Sequence, residues 1–288
     1  FALETEDFTP NHQITFPKWD KQHRDHSAYD STFLSIFEKN LLMKVVAMIP
    51  ARYEASRFPG KLMANLHGKS VILTTYHATL STGLFDQVYV VTDSTIIRDE
   101  ITAHGGQVIM SIETHESGSD RIAEAAENID AEIIINVQGD EPFTQTDTLK
   151  KLISVFEGDI QQQIDLASPM VRLKGKENIE NSNHVKVITD QNNFAIYFSR
   201  SPIPYPRNQE IDIPYFKHIG IYAFRKAALL AFKNTPMTPL ENAEKIECIR
   251  YLETGKKIKM VEIDHVGISI DSPEDLEKAK DYMNSRNN

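Results

Sequence analysis

The chain has 288 residues, with 31 Lys or Arg against 41 Asp or Glu, which gives a formal net charge of −10. This charge argues against a general affinity for nucleic acid or anionic membranes, and no apolar run approaches the roughly 18 residues of a membrane span. Cys248 is the only cysteine, which excludes an intrachain disulfide and a Cys-rich zinc site and makes a reducing cytoplasm the expected compartment.

Residues 1–42 differ from the rest of the chain. Residues 31–42 have apolar side chains at helical spacing and predict a short amphipathic helix. His23 and His26 are three residues apart, but neither they nor His12 have a convincing third ligand, so a metal site is not expected. The pattern of a signal peptide is absent, and we interpret this segment as an extension of unknown role.

From Met43 onward, strand and helix patterns alternate. Short apolar runs typical of buried strands are followed by segments with helical periodicity and polar capping residues. The predicted strands in this part are 44–50, 87–92, 107–110 and 132–137, and the predicted helices are 71–81, 94–104 and 119–128. The alternation predicts an α/β fold with a mostly parallel sheet and helices on both faces.

The pattern changes after this part. Two apolar runs, 185–189 and 195–199, flank a polar turn and predict a β-hairpin, and the proline-rich segment 201–207 is incompatible with regular structure. The other predicted strands are 218–224 and 256–263, and the other predicted helices are 225–233, 240–253 and one that begins at Ser272. We therefore expect an antiparallel insertion within one domain that spans residues 43–288.

The loop after the first strand of this domain is basic. Arg52, Arg57 and Lys61 follow strand 44–50 within a dozen residues, and Pro59-Gly60 favours a sharp turn. Ligands bind at the carboxyl ends of strands in open α/β sheets, so three cations there suit a polyanion such as a triphosphate. A solvated loop is the less favoured alternative. No dinucleotide-binding fingerprint or P-loop occurs, so side chains would have to hold the phosphates.

Two aspartates lie between a strand and the element that follows it. Asp140 follows strand 132–137 beside Gly139 and is a candidate ligand of a hard cation such as Mg²⁺, with a turn aspartate as the less favoured alternative. Asp271 precedes Ser272 in an analogous position. Spacing alone leaves two equal interpretations of Asp271, a metal ligand or an acid that the positive end of the helix dipole stabilises.

Two further patterns are less specific. The Ser-Gly-Ser sequence at 117–119 would present backbone N–H groups and hydroxyls to a base or a phosphate, but serine also caps helices. Glu241, Glu244, Glu247 and Arg250 would share one face of the predicted helix 240–253. Such a striped face is usually solvated or paired within the helix, and it could equally line a sugar pocket.

Nine motifs carry a resemblance to a known family. In chain order they are IPARYEASRFPGK, VVTD, HESGSDRIAE, NVQGDEP, HVKVITD, AIYFSR, HIGIY, PLENAEKIECIR and DSPEDLE. From Met43 to about Tyr282 the chain resembles the 3-deoxy-manno-octulosonate cytidylyltransferases, or CMP-Kdo synthetases. The resemblance implies a nucleotidyltransferase fold and a cytoplasmic, homodimeric enzyme of lipopolysaccharide biosynthesis. Its expected reaction converts CTP and 3-deoxy-D-manno-octulosonate (Kdo) into CMP-Kdo and pyrophosphate.

The resemblance also implies roles for individual residues. The implied phosphate-binding and nucleotide-binding positions are Arg52, Arg57, Lys61, Ser117, Gly118 and Arg121. The implied positions on the sugar-binding side are Gln138, Arg200, His218, Tyr222, Glu244 and Glu247. Lys61, Asp140 and Asp271 are the implied catalytic residues, and the two aspartates are the implied ligands of Mg²⁺.

One departure from the family concerns the sugar. The family usually has Leu-Glu-Gln-Leu-Arg where this chain has residues 246–250, so the thiol of Cys248 replaces an amide that could contact the sugar. The same chemistry on a Kdo analogue with a changed C8 substituent, or on sialic acid, is therefore an alternative. A non-catalytic nucleotide-binding regulator is another, although the presence of Lys61, Asp140 and Asp271 argues against loss of activity.

Overall fold

The fold is organised around a mixed β-sheet with helices packed on both faces. The computed structural model describes residues 43–54, 58–113, 115, 117–208 and 210–286. The predicted helix 31–42 lies outside the described residues, so that prediction stands as made.

Most strands belong to one sheet. In chain order, all the strands of the described residues are β1 (Val45–Ala51), β2 (Asn65–Leu66), β3 (Lys69–Ser70), β4 (Gln87–Thr92), β5 (Val108–Met110), β6 (Ile133–Asn136), β7 (Leu166–Arg172), β8 (Lys186–Thr189), β9 (Ala195–Ser199), β10 (Phe216–His218), β11 (Tyr222–Arg225) and β12 (Ile258–Ile263). The ten-stranded sheet has the order β5-β4-β1-β6-β11-β7-β10-β8-β9, with β12 paired to β7, while β2 and β3 form a separate pair.

The helices, in chain order, are α1 (Val71–Ser81), α2 (Thr95–Ala103), α3 (Gly118–Ala126), α4 (Thr146–Glu157), α5 (Lys176–Glu180), α6 (Lys226–Lys233), α7 (Pro239–Glu244), α8 (Cys248–Glu253) and α9 (Pro273–Arg286). Alternate residues of β1 belong to different cores. Ala47 and Ile49 pack in a core with residues of α1, α2, α4 and α9, whereas Val46 and Met48 pack with residues of α3, α6 and α8. Both faces of β1 are therefore buried, which explains its continuous apolar sequence.

The strand directions confirm the predicted fold class. β5, β4, β1 and β6 run parallel and form one half of the sheet. β11 joins this half to β7 in antiparallel fashion, and β10, β8 and β9 continue the antiparallel half. The carboxyl ends of β1 and β6 consequently lie side by side at one edge.

The prediction of a single strand over 218–224 is wrong. β10 ends at His218 and β11 begins at Tyr222, and the two strands have different neighbours in the sheet. Between these strands the chain turns, and the Ile221 N–H donates to the Ile219 carbonyl. The Ser168 hydroxyl contacts the carbonyl oxygens of Ile219 and Ile221. Ser168 on β7 is far away in sequence, and its hydroxyl thus contacts carbonyls that would bond to a neighbouring strand if the strand were continuous.

The prediction of a single helix over 240–253 is also wrong. Lys245 has a φ of 53°, in the left-handed region, and ends α7 before α8 begins. The guanidinium of Arg200 donates to the carbonyls of Glu244 and Lys245, which have left the helical hydrogen-bonding pattern. The three- and four-residue spacing of charged residues in this segment therefore does not define one face.

Five elements were absent from the sequence-based prediction: the short strands β2 and β3, the helices α4 and α5, and the strand β7. β7 pairs antiparallel with β10 and β11 and parallel with β12, and is thus central to this half of the sheet. Its sequence contains Ser168 and Pro169, which interrupt the apolar run that identifies a buried strand.

Candidate active site

A cavity of about 420 Å³ opens at the carboxyl ends of β1 and β6, beside the amino terminus of α3. It is lined by Pro50, Ala51, Arg52, Phe58, Lys61, Leu62, His115, Ser117, Gly118, Arg121, Gln138, Gly139, Asp140 and Asp271. This volume and this edge of an α/β sheet are typical of a small-molecule site.

Many of the residues that the sequence proposed for function meet in this cavity. Those that line it are Arg52, Lys61, Ser117, Gly118, Arg121, Gln138, Asp140 and Asp271. Arg57 lies outside the described residues. The other five candidates, Arg200, His218, Tyr222, Glu244 and Glu247, are not among the residues that line the cavity.

Lys61 lies between the two aspartates. Gly60, with a φ of 70°, turns the chain into a short 3₁₀ helix that begins at Lys61. The Lys61 ammonium lies 2.5 Å from Asp140 Oδ2 and 3.0 Å from Asp271 Oδ1. Burial would lower the pKa of Lys61, but the two carboxylates outweigh it and raise the pKa. The backbone N–H of Ile270 donates to the Asp140 carbonyl at 2.9 Å and joins the two segments.

The two aspartates fit a hard divalent cation. Both carboxylates already contact one cationic atom, so they converge on a single point from segments far apart in sequence. Carboxylate oxygens are ligands that Mg²⁺ prefers, and Mg²⁺ is often held by one or two carboxylates together with phosphate oxygens. The donor set of Asp140 and Asp271 therefore suits Mg²⁺.

A third carboxyl group lies near these aspartates. Burial and the charge of Asp140 raise the pKa of Glu141 to about 7, although Lys217 opposes the shift. Glu141 is consequently only partly ionised at neutral pH.

Arg121 presents an unused donor in the cavity wall. Its side chain is 7% exposed, and its Nη2 donates to Asp93 Oδ2 at 2.8 Å. Its buried Nη1 has no hydrogen-bond partner among the described residues. Because buried donors are rarely left unpaired, this atom is suited to an acceptor on a bound ligand.

Two glycines allow close contact around Pro50, at the end of β1. A Cβ on Gly118 would lie 3.2 Å from Pro50 Cγ, and a Cβ on Gly139 would lie 3.0 Å from the Pro50 carbonyl oxygen. Glycine therefore lets α3 and the loop after β6 approach β1 from either side. Ser117 caps α3, its hydroxyl accepting from the Asp120 N–H at 3.1 Å.

His218 and Tyr222 lie in a buried polar cluster around Cys248. His218 Nε2 is 2.9 Å from the Ser168 hydroxyl and 3.9 Å from the Cys248 sulfur. Burial lowers the pKa of His218 to about 3, so the imidazole is neutral. Burial also raises the pKa of Tyr222, which hydrogen-bonds to Cys248 and Glu247.

Glu247 connects this cluster to the helix that borders the cavity. Its Oε1 accepts a hydrogen bond from the Ser119 hydroxyl of α3 at 2.8 Å. Burial raises the pKa of Glu247, although hydrogen bonds from Ser119 and Ser117 oppose the shift. The buried cluster and the cavity therefore meet at the amino terminus of α3.

The remaining charged residues of the supposed helical face have separate partners. Glu244 accepts from the Ser199 hydroxyl at 2.6 Å and from the Arg200 N–H at 2.9 Å. Glu241 forms a buried bidentate pair with Arg250 at 2.6 and 2.7 Å. The solvated interpretation is thus wrong for Glu241 and Arg250. They pair with each other, but the pair joins α7 and α8 and does not lie within one helix.

His115 lines the cavity and was not proposed as a site residue. Its Nε2 lies 2.5 Å from Glu124 Oε2. The two residues are the first and last of the HESGSDRIAE motif, and that shared motif was the available signal. Sequence spacing gave no reason to pair them.

Comparison with known proteins gives the family. The Cytidylyltransferase family model matches residues 46–258. The curated 3-deoxy-manno-octulosonate cytidylyltransferase of Flavobacterium johnsoniae is 60% identical over 238 residues, which are 83% of this chain and 98% of that protein. The chain belongs to the 3-deoxy-manno-octulosonate cytidylyltransferase family.

More distant comparisons agree with this family. The Syntrophotalea carbinolica cytidylyltransferase of the same name is 39% identical and covers 84% of this chain and 99% of its own. A solved structure of CMP:2-keto-3-deoxy-manno-octonic acid synthetase complexed with CTP is 37% identical, with a TM-score of 0.80 over 84% of this chain and 99% of that chain. The 4-diphosphocytidyl-2C-methyl-D-erythritol synthase of Anaerococcus prevotii, at 18% identity and a TM-score of 0.55, shares the fold alone; it covers 84% of this chain and 98% of its own.

The family assignment makes the chain a cytidylyltransferase enzyme whose fold matches that of the CTP complex. Among the described residues, no helix has the length and apolar character needed to cross a membrane.

Proposed function

We propose that this chain transfers CMP from CTP to the anomeric hydroxyl of Kdo and releases pyrophosphate, as a step of lipopolysaccharide biosynthesis. The main support is the 60% identity to a curated 3-deoxy-manno-octulosonate cytidylyltransferase over 98% of that protein. The cavity is consistent with it, since Lys61 and Arg52 lie there together with Asp140 and Asp271.

The cations of the cavity would bind the triphosphate. Lys61 and Arg52 are suited to the negative charge that develops on the departing pyrophosphate, and Arg57 is proposed for the same role from its place in the loop. The unpaired Nη1 of Arg121 would donate to an acceptor on the base or ribose of CTP. Ser117 and Gly118 would contact the same nucleotide from the start of α3.

The reaction needs no covalent enzyme intermediate. Direct in-line attack of the sugar hydroxyl on the α-phosphorus requires chiefly positioning and charge stabilisation. The only thiol of the chain, Cys248, is buried, and burial raises its pKa far above the physiological range. A neutral, buried thiol is a poor nucleophile, so Cys248 is assigned a role in packing or in sugar recognition.

Mg²⁺ is the proposed cofactor, and Asp140 and Asp271 would hold it. When bound, it would supply neutralisation of charge on the phosphate oxygens. Lys61, which contacts both aspartates, would keep the carboxylates oriented toward one point and contribute its own charge to the phosphates.

The sugar is proposed to bind where the cavity meets the Cys248 cluster. Gln138 lines the cavity, and its amide donates to the Gly220 carbonyl at 2.7 Å, in the turn between His218 and Tyr222. Glu247 approaches from α8 through Ser119. Glu244 and Arg200 hydrogen-bond to each other and do not line the cavity, so they would stabilise the sugar-binding side without lining it.

The deciding experiment is pyrophosphate release with CTP, Mg²⁺ and Kdo, with an 8-amino Kdo analogue and sialic acid in parallel. Release with Kdo is the expected result. Pyrophosphate release with the analogue alone would support the same reaction with a different sugar substrate. No pyrophosphate release with any of the three sugars, in folded protein, would overturn the proposal. Omitting Mg²⁺ or adding a chelator should abolish release.

We also propose that the enzyme acts in the cytoplasm as a homodimer. The support is a single cysteine with no possible intrachain disulfide, and the resemblance of the motifs to a homodimeric family. Sedimentation equilibrium of the full chain should give twice the mass of 32.8 kDa, and a monomer mass at micromolar concentration would contradict the dimer.

A further inference from the structure

Glu124 fastens the loop between β5 and α3 to that helix. Its carboxylate accepts hydrogen bonds from the Ile112 backbone N–H at 2.9 Å and the Ser111 hydroxyl at 3.1 Å. A third contact comes from His115, whose Nε2 lies 2.5 Å from Glu124 Oε2. Three positions of the loop therefore converge on one carboxylate.

The carboxylate of Glu124 is held in its charged form. Burial would raise its pKa, but hydrogen bonds from Ile112, His115 and Ser111 outweigh burial and lower the pKa. Hydrogen bonds to an ionised acceptor are stronger than neutral ones. The nearby ion pair of Glu113 with Lys233 is longer, at 3.6 Å, and Glu113 is exposed, so it is a weaker fastening.

His115 is the member of this group that reaches the cavity. Its side chain is 4% exposed and lines the cavity together with Ser117 and Gly118. Gly118 packs against Pro50 at the end of β1. The entrance to α3 is thus held by Glu124 on one side and by β1 on the other.

We propose that His115 and Glu124 act as a pair of positioning residues for the nucleotide. The pair fixes the loop that enters α3, so that Ser117 and Gly118 present a preformed surface to CTP. The inference rests on the proposed function only in taking CTP as the ligand. His115 acts through Glu124, and the pair therefore affects affinity for CTP and leaves affinity for the sugar unchanged.

Two substitutions of His115 separate this role from direct contact with substrate. The glutamine amide nitrogen can occupy the position of Nε2, so His115→Gln keeps the contact with Glu124. The asparagine amide nitrogen can occupy the position of Nδ1, so His115→Asn loses that contact. We expect His115→Gln to keep the KM for CTP within about threefold and His115→Asn to raise it about tenfold, the loss of one hydrogen bond to a charged group.

The partner residue provides an independent measurement. Glu124→Gln removes the charge that Ile112, Ser111 and His115 contact, so it should raise the KM for CTP at least about tenfold, and the double variant His115→Asn/Glu124→Gln should be no worse than Glu124→Gln alone. In all variants the KM for Kdo and kcat should change by less than about threefold, since groups at the reacting atoms are untouched.

Asp159→Asn is the matched control. Asp159 pairs with Arg225 at 2.7 Å, is largely buried and lies outside the cavity lining. It should lower the urea midpoint and leave the KM for CTP unchanged. An equal rise in KM for CTP in this control would show a general loss of stability and would overturn the positioning role.

Titration with CTP and Mg²⁺ in the absence of sugar separates this inference from the proposed function. The same order of affinities, wild type and His115→Gln above His115→Asn and Glu124→Gln, is expected even if the sugar substrate proves to be different. The pairing with Glu124 would be overturned if His115→Asn bound CTP as tightly as wild type, or if it bound CTP more tightly than His115→Gln. Failure of wild-type pyrophosphate release with intact CTP binding would overturn only the proposed reaction.

Discussion

At the scale of single residues, the site is defined by convergence of charge. Lys61, Asp140 and Asp271 are distant in sequence, yet the lysine ammonium contacts both carboxylates. Each of the three was already a candidate from its place in the sequence. Lys61 and Asp140 come after strands, whereas the strand expected before Asp271 is absent and this residue precedes α9 at the end of a loop. Their contact is a property of the folded chain, since no spacing rule connects residues separated by 79 and 210 positions.

Removing the carboxylate of Asp140 should abolish most of the activity. We expect Asp140→Asn to lower kcat/KM by at least about 100-fold, because one of the two carboxylates proposed to hold Mg²⁺ is lost. Asp130→Asn is the control, since Asp130 is exposed and pairs with Lys44 away from the cavity. Pyrophosphate release is the measurement, and normal turnover of Asp140→Asn with a native circular dichroism spectrum would contradict the assignment.

The buried His218 should make the protein acid-sensitive. Its folded-state pKa of about 3 lies below the ordinary value of 6.5, so the unfolded chain binds a proton that the folded chain excludes. Between these values the free energy of unfolding falls as pH falls, by up to about 1.4 kcal/mol per pH unit from this one group.

Urea unfolding between pH 7.5 and pH 4.5 tests this sign. The pH dependence should be shallower in His218→Asn than in wild type, because the variant lacks the imidazole whose pKa burial lowers. Parallel pH profiles for wild type and His218→Asn would show that the buried imidazole is not the group responsible.

At the scale of elements, β1 and the loop after β6 are packed too closely for a side chain at Gly139. A Cβ on Gly139 would lie 3.0 Å from the Pro50 carbonyl oxygen and 3.2 Å from Ile72 Cδ1. Gly139→Ala should therefore destabilise the fold by about 1–3 kcal/mol through overpacking and also reduce activity by shifting Asp140.

Gly158→Ala is the control for this prediction. Gly158 ends α4 with a φ of −86°, and a Cβ there would meet nothing within 4 Å. Chemical denaturation and pyrophosphate release should leave this variant near wild type. Equal stability and activity of the two alanine variants would show that the junction after β6 relaxes freely.

A buried ion pair links α7 and α8 across the break between them. Glu241 and Arg250 form a bidentate contact with both side chains largely buried. Glu241→Ala should cost about 3–5 kcal/mol of unfolding free energy, because it leaves the Arg250 charge buried without its main partner. Lys176→Ala, which removes an exposed pair with Glu180, should cost less than about 1 kcal/mol. Denaturant midpoints distinguish the two.

At the scale of the whole molecule, the match to the family model begins at residue 46, within the first strand. The Flavobacterium johnsoniae relative is matched over 98% of its own length by only 83% of this chain. A chain reduced to residues 43–288 should therefore keep pyrophosphate release within about threefold of the full chain, as expected when a segment contributes no group to the reaction. A larger loss, with unchanged circular dichroism, would assign residues 1–42 a part in catalysis.

Local patterns predicted much of the fold. Apart from the two-residue strands β2 and β3, the alternation of strands and helices from β1 to β6 was predicted, because continuous apolar runs and capped amphipathic segments depend on neighbouring residues. β7 was missed because Ser168 and Pro169 interrupt its apolar run. The residues between β10 and β11 were assigned to a strand because their carbonyl partner, Ser168, is distant in sequence.

By itself, the sequence determined the fold class, the family and the loops that carry the charged residues, since motifs and periodicity are local and survive without coordinates. Only the tertiary structure decided which side chains meet. It placed Lys61 against two aspartates, His115 against Glu124, and His218 in a buried cluster apart from the cavity lining. The reason is physical: burial, ion pairing and hydrogen bonding between distant segments depend on packing in three dimensions, which the spacing of residues along the chain does not encode.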